Sequence, residues 1–308
     1  MSIILNLFPK LIPLYAFIAL GFLANRKLKI DRSIIAGLIL YFINPCLIFL
    51  SLLTINLSSS VLFLPILCFF ICTLIATTFN FVSKVHYDKQ PIRQILTYAA
   101  GTGNTGYFGL GLVTAILGTS SLSLAIVANL GFILYDATVG YFFASSGNAT
   151  FRSGFLKVVK LPTFQAFVIG VIFNSLGLRL DAVFSGMLDS IKGAYIVLGM
   201  MLIGIGLYGV TLKSINWKFL FTSFFVKFFI WPLLVLIFIL ADQNYFKLFP
   251  QISHSILLIF SIVPLPANTV VYASEQNISP EIAAVSVFIS TVFCLIYIPI
   301  FLGISGVV

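Results

Sequence analysis

The sequence predicts an all-α polytopic membrane protein of ten transmembrane helices, built as two inverted five-helix repeats. Three observations predict it. Of 308 residues, 60% are hydrophobic and 8% charged, with a mean hydropathy of +1.15. A soluble domain carries about 25% charged residues, so this chain lacks the material for a solvated surface. Its apolar residues fall into ten runs of helix-spanning length, where barrel strands would alternate over about ten residues. Finally, the fourth run of each half is interrupted by glycine or proline. Intrinsic disorder is excluded, because it requires low hydrophobicity.

The first run, 4–24, follows no basic n-region and carries no small-residue cleavage site, so it reads as a retained helix. Runs two and three cover 33–53 and 61–83. Asn44, before Pro45 in run two, reads as a polar bond to a neighbouring helix. Run four, 94–117, contains Gly101-Thr-Gly-Asn-Thr-Gly-Tyr-Phe-Gly-Leu-Gly111. Run five, 121–144, carries Asn129 and Asp136. The second half offers 158–177, 190–211, 219–241, 251–275 and 281–304. Its fourth run, 251–275, contains Pro264-Leu-Pro-Ala-Asn-Thr-Val-Val-Tyr272. The repeats divide as 1–150 and 151–308. Five runs per half is an odd number, so the second copy enters the bilayer upside down.

Charge sets the orientation. The net charge is +9, but the basic residues cluster between apolar runs, which is membrane usage and excludes a nucleic-acid partner. Alternate connections hold Arg26, Lys27, Lys29, Arg32, Lys84, Lys89, Arg93, Arg152, Lys157, Lys160, Lys213 and Lys218. The others hold only Arg179, Lys192 and Lys247. The first loop is therefore expected on the cytoplasmic side and both termini outside, in an inner (cell) membrane. Cys46, Cys68, Cys72 and Cys294 lie inside apolar runs and read as small core residues; no second Cys or His pair completes a metal site.

The interruptions carry the function. A helix interior loses roughly 1 kcal/mol per Gly and 3 per Pro relative to Ala. Five glycines in eleven residues, or two prolines in three, break continuous helix. Freed backbone groups at membrane depth must be buried in protein or line a watery cavity. Each break also starts a half-helix with unpaired N–H groups and partial positive charge, a ready site for an anion. Asn104, Thr105, Asn268 and Thr269 add neutral donors and acceptors, Pro264, Pro266 and the glycines shape the breaks, and Gly106 and Tyr107 complete the expected substrate-binding set. The expected ligand is a small carboxylate-bearing solute.

Asp136 lies about eight residues, roughly 12 Å of helical rise, from the cytoplasmic end of its run. A carboxylate at that depth is a functional candidate, here a proton carrier, with Asn129 supporting the site. Lys227, at similar depth in run eight, is expected to snorkel toward the interface rather than to pair with Asp136. His254, at the start of run nine, reads as a solvated interfacial histidine, and Glu275 and Glu281 as solvated loop acids. Gly101–Gly106 and Gly204–Gly209 match G-x-G-x-x-G but follow no strand, so no dinucleotide is expected. No H-E-x-x-H, G-x-S-x-G or paired intramembrane aspartates occur, so the chain is not expected to be an enzyme, and no cofactor or metal is implied.

On Asn104-Thr-Gly-Tyr-Phe-Gly-Leu and Pro264–Tyr272, with Tyr41-Phe-Ile-Asn-Pro45 and Lys227-Phe-Phe-Ile-Trp-Pro232, the whole chain resembles the auxin efflux carrier family, in its bacterial malate-permease-like branch. The resemblance implies that helices 4 and 9 are broken and cross near the centre. It implies a scaffold domain of helices 1–2 and 6–7 and a transport domain of helices 3–5 and 8–10, moving as an elevator. It also implies a secondary active transporter of a small organic anion, malate-like, driven by protons or membrane potential, and a homodimer through the scaffold helices. Gly111 stands where the family commonly has Pro. The alternatives are a sodium-coupled carrier resembling the bile-acid symporters, and an anion channel.

Overall fold

In the computed structural model, which describes residues 2–85, 87, 90–145, 156, 158–210 and 215–305, helix follows the apolar runs. Every regular element among the described residues is helical. The chain opens with α1 (Ser2–Leu28), which tolerates Pro9 and Pro13 because neighbouring elements in a membrane bundle re-satisfy the freed groups. α2 (Arg32–Leu52) starts at Asp31, whose carboxylate accepts the Ser33 N–H at 2.8 Å. The Ser33 hydroxyl and N–H hold the Asp31 carboxyl below the usual carboxylate range. α3 (Ser59–Ser83) is capped by Ser58, whose hydroxyl accepts the Val61 N–H.

Run four divides into α4 (Gln90–Ala100) and α5 (Leu110–Leu117), the latter entered through a π turn at Thr105–Gly109. α6 (Thr119–Ala144) contains a π turn at Asp136–Gly140. After it come α7 (Pro162–Ser175), α8 (Ala182–Leu207) and α9 (Trp217–Phe246). Run nine divides into α10 (Gln251–Ser261) and α11 (Asn268–Glu275), and α12 (Pro280–Ser305) ends the described chain.

Seven helices among the described residues, α1, α2, α3, α6, α8, α9 and α12, are long and apolar enough to cross a membrane. α7 and α10 are shorter apolar helices. The protein is an integral, multi-pass membrane protein.

Boundaries differ from the expected ones for local reasons. α7 begins at Pro162 rather than 158, since Leu161 is extended before the proline. α8 begins well before 190: Asp189 and Lys192 sit on the helix as an i,i+3 pair at 3.8 Å instead of in a loop. The expected repeat boundary at 150, with Arg152, Lys157, Lys89 and Lys213, lies outside the described residues.

Close approach of small residues organises the packing. α1 lies along α8, where a Cβ at Gly21 would strike the Met201 carbonyl and one at Gly204 the Ile18 carbonyl. α2 lies along α7: the Asn174 amide donates to the carbonyls of Leu52 and Ile55, and Asn44 Nδ2 to Thr163 Oγ1 at 3.4 Å. α6 meets α3 where Gly131 faces the Pro65 carbonyl.

Three expectations fail here. Lys227 does not snorkel; it is fully buried in α9, because its face of the helix is turned to the bundle centre. His254 is not solvated; it is buried with Nε2 2.9 Å from Asp242 Oδ2. Asp242 also accepts the N–H groups of Leu248 (3.0 Å) and Phe249 (3.1 Å), closing the turn between α9 and α10. Cys46 is exposed on the outer side of α2, whereas Cys68, Cys72 and Cys294 are core residues. Glu275 and Glu281 are exposed.

Candidate functional site

Beyond Ala100 the chain unwinds over residues 101–104. Glycine is required at two points of this stretch. A Cβ at Gly101 would collide with the Tyr135 hydroxyl, and one at Gly103 with Lys227 Nζ. The last α4 carbonyls are taken by side chains: Trp231 Nε1 donates to Ala100 O at 2.8 Å and Tyr135 Oη to Tyr98 O at 3.3 Å. Asn104 caps the π turn by accepting the Phe108 N–H with its side chain. Gly111 lies beyond the break, inside α5 and against Leu14.

The second interruption, residues 262–267, is satisfied in the same manner. Lys227 Nζ donates to Phe260 O (3.4 Å), Cys294 Sγ to Ile262 O (3.6 Å), and the Leu265 N–H to Ser290 Oγ (3.1 Å). The two breaks are joined directly: the Asn104 N–H donates to the Pro264 carbonyl at 2.9 Å. Freed backbone groups thus find protein partners, as hydrocarbon requires.

A cavity of about 230 Å³ opens at this junction. Drug-sized pockets run to about 300–1,000 Å³, so this one suits a small solute. Of the residues expected at the site, Asn104, Thr105, Gly106, Tyr107, Asn129, Asp136, Pro266 and Asn268 line it. Pro264 does not; its carbonyl serves the link to Asn104. Thr269 does not either: it is buried beside the cavity with its hydroxyl unpartnered. Asn44 lines the cavity in addition to bonding Thr163.

Two sets of hydrogen bonds tie the lining together. Thr105 Oγ1 donates to Asn129 Oδ1 at 2.7 Å. The Asp136 carboxylate accepts from Tyr98 Oη at 3.1 Å through one oxygen and from Asn268 Nδ2 at 3.3 Å through the other. Its backbone carbonyl accepts from Tyr272 Oη at 3.1 Å. Asn104 Nδ2 is buried without a partner, on a residue that faces the cavity.

Sequence reasoning missed Tyr98, Tyr195 and Tyr272. Tyr272 closes the quoted Pro264–Tyr272 motif, so a signal existed for it. Tyr195 packs its ring 6.2 Å from that of Tyr107, across from α5, and nothing in the sequence marks it.

A model of a family described as membrane transport protein matches residues 6–155. The model is that of the auxin efflux carrier family, and the matched stretch is 150 of the 308 residues, just under half of the chain. An uncharacterized transporter of Methanothermobacter thermautotrophicus is 25% identical over 274 residues, 88% of each chain. An uncharacterized transporter of Methanocaldococcus jannaschii is 25% identical over 277 residues, 86% of this chain and 87% of the relative. Together these likenesses indicate a membrane transporter, with a transported substrate and a lipid surround, and not an enzyme.

Proposed function

We propose that this protein is a secondary active transporter of a small organic anion, a carboxylate of the malate-like class, working by elevator-type alternating access. The observation that carries the reading is the direct Asn104–Pro264 link between two interrupted segments, with a cavity at the link whose largely apolar wall carries a few polar groups. Paired interruptions at matching positions of two halves are the mark of a transporter's binding site.

In this reading the seven long helices, α7 and the two interrupted pairs α4–α5 and α10–α11 make ten traverses. They form two inverted five-helix repeats whose broken members cross. The α1–α8 and α2–α7 contacts support a scaffold of helices 1–2 and 6–7, against which helices 3–5 and 8–10 move. The charge bias of the loops supports a cytoplasmic first loop and outside termini.

The anion is received by neutral donors. Asn104 Nδ2 is free to donate, and the starts of the Thr105 and Asn268 segments present partial positive charge. Asp136 is the proton carrier. Deprotonated, it accepts from both Tyr98 and Asn268; protonated, it becomes a donor itself, and one of these partners must turn. Asn268 thereby connects proton occupancy to the solute pocket.

The test is uptake of labelled dicarboxylates and monocarboxylates into proteoliposomes. Saturable uptake with counterflow exchange, stimulated by an inward proton gradient, is the expected result. Non-saturating flux without counterflow identifies a channel and overturns the carrier reading, and uptake that requires sodium overturns proton coupling.

A further inference from the structure

A buried ammonium is costly unless something negative faces it. Lys227 is fully buried, and the ion pairs among the described residues, Asp189–Lys192 and Asp242–His254, do not include it. Its surroundings are carbonyls and a ring. Nζ lies 3.4 Å from Phe260 O, in the last turn of α10, and 4.6 Å from the centroid of the Trp231 ring. Trp231 in turn donates to Ala100 O, the last carbonyl of α4. The bare backbone of Gly103 leaves the room that Nζ occupies.

Lys227 therefore sits where the C-terminal ends of α4 and α10 converge. Each such end carries about half a negative charge from the helix macrodipole. Converging carbonyls left by unwound helix are also the arrangement by which transporters coordinate sodium.

We infer that the Lys227 ammonium is the resident cation of this junction, occupying the place a metal cation would otherwise take between the two helix ends, so that the protein runs without sodium there. Lys227 is a positioning residue: it fixes the two breaks in register through Phe260, Gly103 and Trp231, and does not touch the solute. Being covalently attached, the charge is never released, so it contributes no ion to the transport stoichiometry. The inference deepens the transport reading but is tested first on stability, which needs no knowledge of the solute.

The experiment measures thermal unfolding of the purified full-length chain in N-methylglucamine chloride. Sodium, lithium, potassium or methylammonium chloride is then substituted at constant ionic strength. Wild type is expected to melt at one temperature in all five salts. Lys227→Ala, which empties the place, is expected to lose at least about 4 °C. It should recover saturably with one or more of the small cations, by mass action on the folded state. Lys227→Met keeps the stem and drops the charge; it is expected to melt low and stay low in every salt. In proteoliposomes, wild-type uptake is indifferent to sodium, while Lys227→Ala uptake depends on the rescuing cation.

A wild-type melting point that climbs saturably with sodium overturns the inference. So does Lys227→Met matching wild type in both melting and uptake, or Lys227→Ala remaining unrescued by all four cations. Should Lys227→Ala fail to fold in any salt, Lys227→Met decides alone. Absence of carboxylate uptake by wild type refutes the transport reading and leaves the melting result standing.

Discussion

Asn268 Nδ2 reaches Asp136 Oδ2 at 3.3 Å, so the first residue of α11 is bonded to the carboxylate that opens the π turn of α6. Tyr98, from α4, holds the other oxygen of the same carboxylate. Three segments on either side of the two breaks thus share one titratable group. Motion of any of them, or a change in the protonation of Asp136, is felt by the others.

Asp136→Asn is expected to keep the fold and lose proton stimulation of uptake. The amide retains one acceptor for Tyr98 or Asn268 but carries no exchangeable charge. A hydrogen bond to a charged group contributes about 1.5–3 kcal/mol, which corresponds to a loss of roughly 10- to 100-fold in proton-driven uptake. The assay compares uptake with and without an imposed pH gradient. A variant that still responds to the gradient like wild type removes Asp136 from the coupling step.

Thr105 and Asn129 should behave as a unit, because their side chains share a buried bond of 2.7 Å. Thr105→Ala and Asn129→Ala are each expected to lower stability, and the double variant to cost less than the sum. Contacting pairs of this kind couple by about 0.5–3 kcal/mol. Thermal or chemical unfolding of the four proteins measures the term. Strict additivity would show that the bond does not hold the π turn to α6.

How much of this was legible in the sequence depends on whether the signal was one-dimensional. Length and apolarity of a run gave the helices, and glycine and proline chemistry gave both interruptions at 101–104 and 262–267. Asn104, Thr105, Asn268 and Asp136 stood out because polar groups at membrane depth are rare. What failed was azimuth. Lys227 looked like a snorkelling lysine because sequence reports depth along α9, not which side faces lipid; the π turn at Val226–Ile230 further rotates its register. Cys46 failed the same way, on the opposite side of α2 from the core. His254 failed because its partner, Asp242, sits on the preceding helix across a Phe-Pro turn, and no helical spacing marks such a pair. Tertiary packing alone brings Tyr195 to the cavity and Tyr98 to the Asp136 carboxylate.

Gly101, in the first break, and Gly37, in α2, predict contrasting responses. Gly101→Ala places a methyl group against the Tyr135 hydroxyl and the Ala76 side chain (2.8 Å), both in packed surroundings. Overpacking of this kind costs about 1–3 kcal/mol. Gly37→Ala is the control: nothing lies within 4 Å of its Cβ position, so the substitution is expected to be neutral or slightly stabilising. Melting temperatures of the two variants against wild type test the contrast. Equal shifts would refute the close approach of Gly101 to Tyr135.

The Asp242–His254 pair predicts damage to the fold without damage to the site. Asp242 is buried and serves three partners: the N–H groups of Leu248 and Phe249 and the His254 ring. None of these residues lines the cavity. Asp242→Ala leaves two backbone donors of the α9–α10 turn and one imidazole without partners. Each unsatisfied buried group costs about 1–3 kcal/mol, so a strong loss of stability is expected. His254→Ala removes one partner and leaves the two backbone bonds to Asp242, so its loss should be the smaller of the two. Whatever fraction of either variant remains folded should transport with wild-type affinity, because the link between Asn104 and Pro264 is untouched. Unfolding curves together with uptake normalised to folded protein test both halves. A changed KM for the solute in Asp242→Ala would show that this turn reaches the pocket after all.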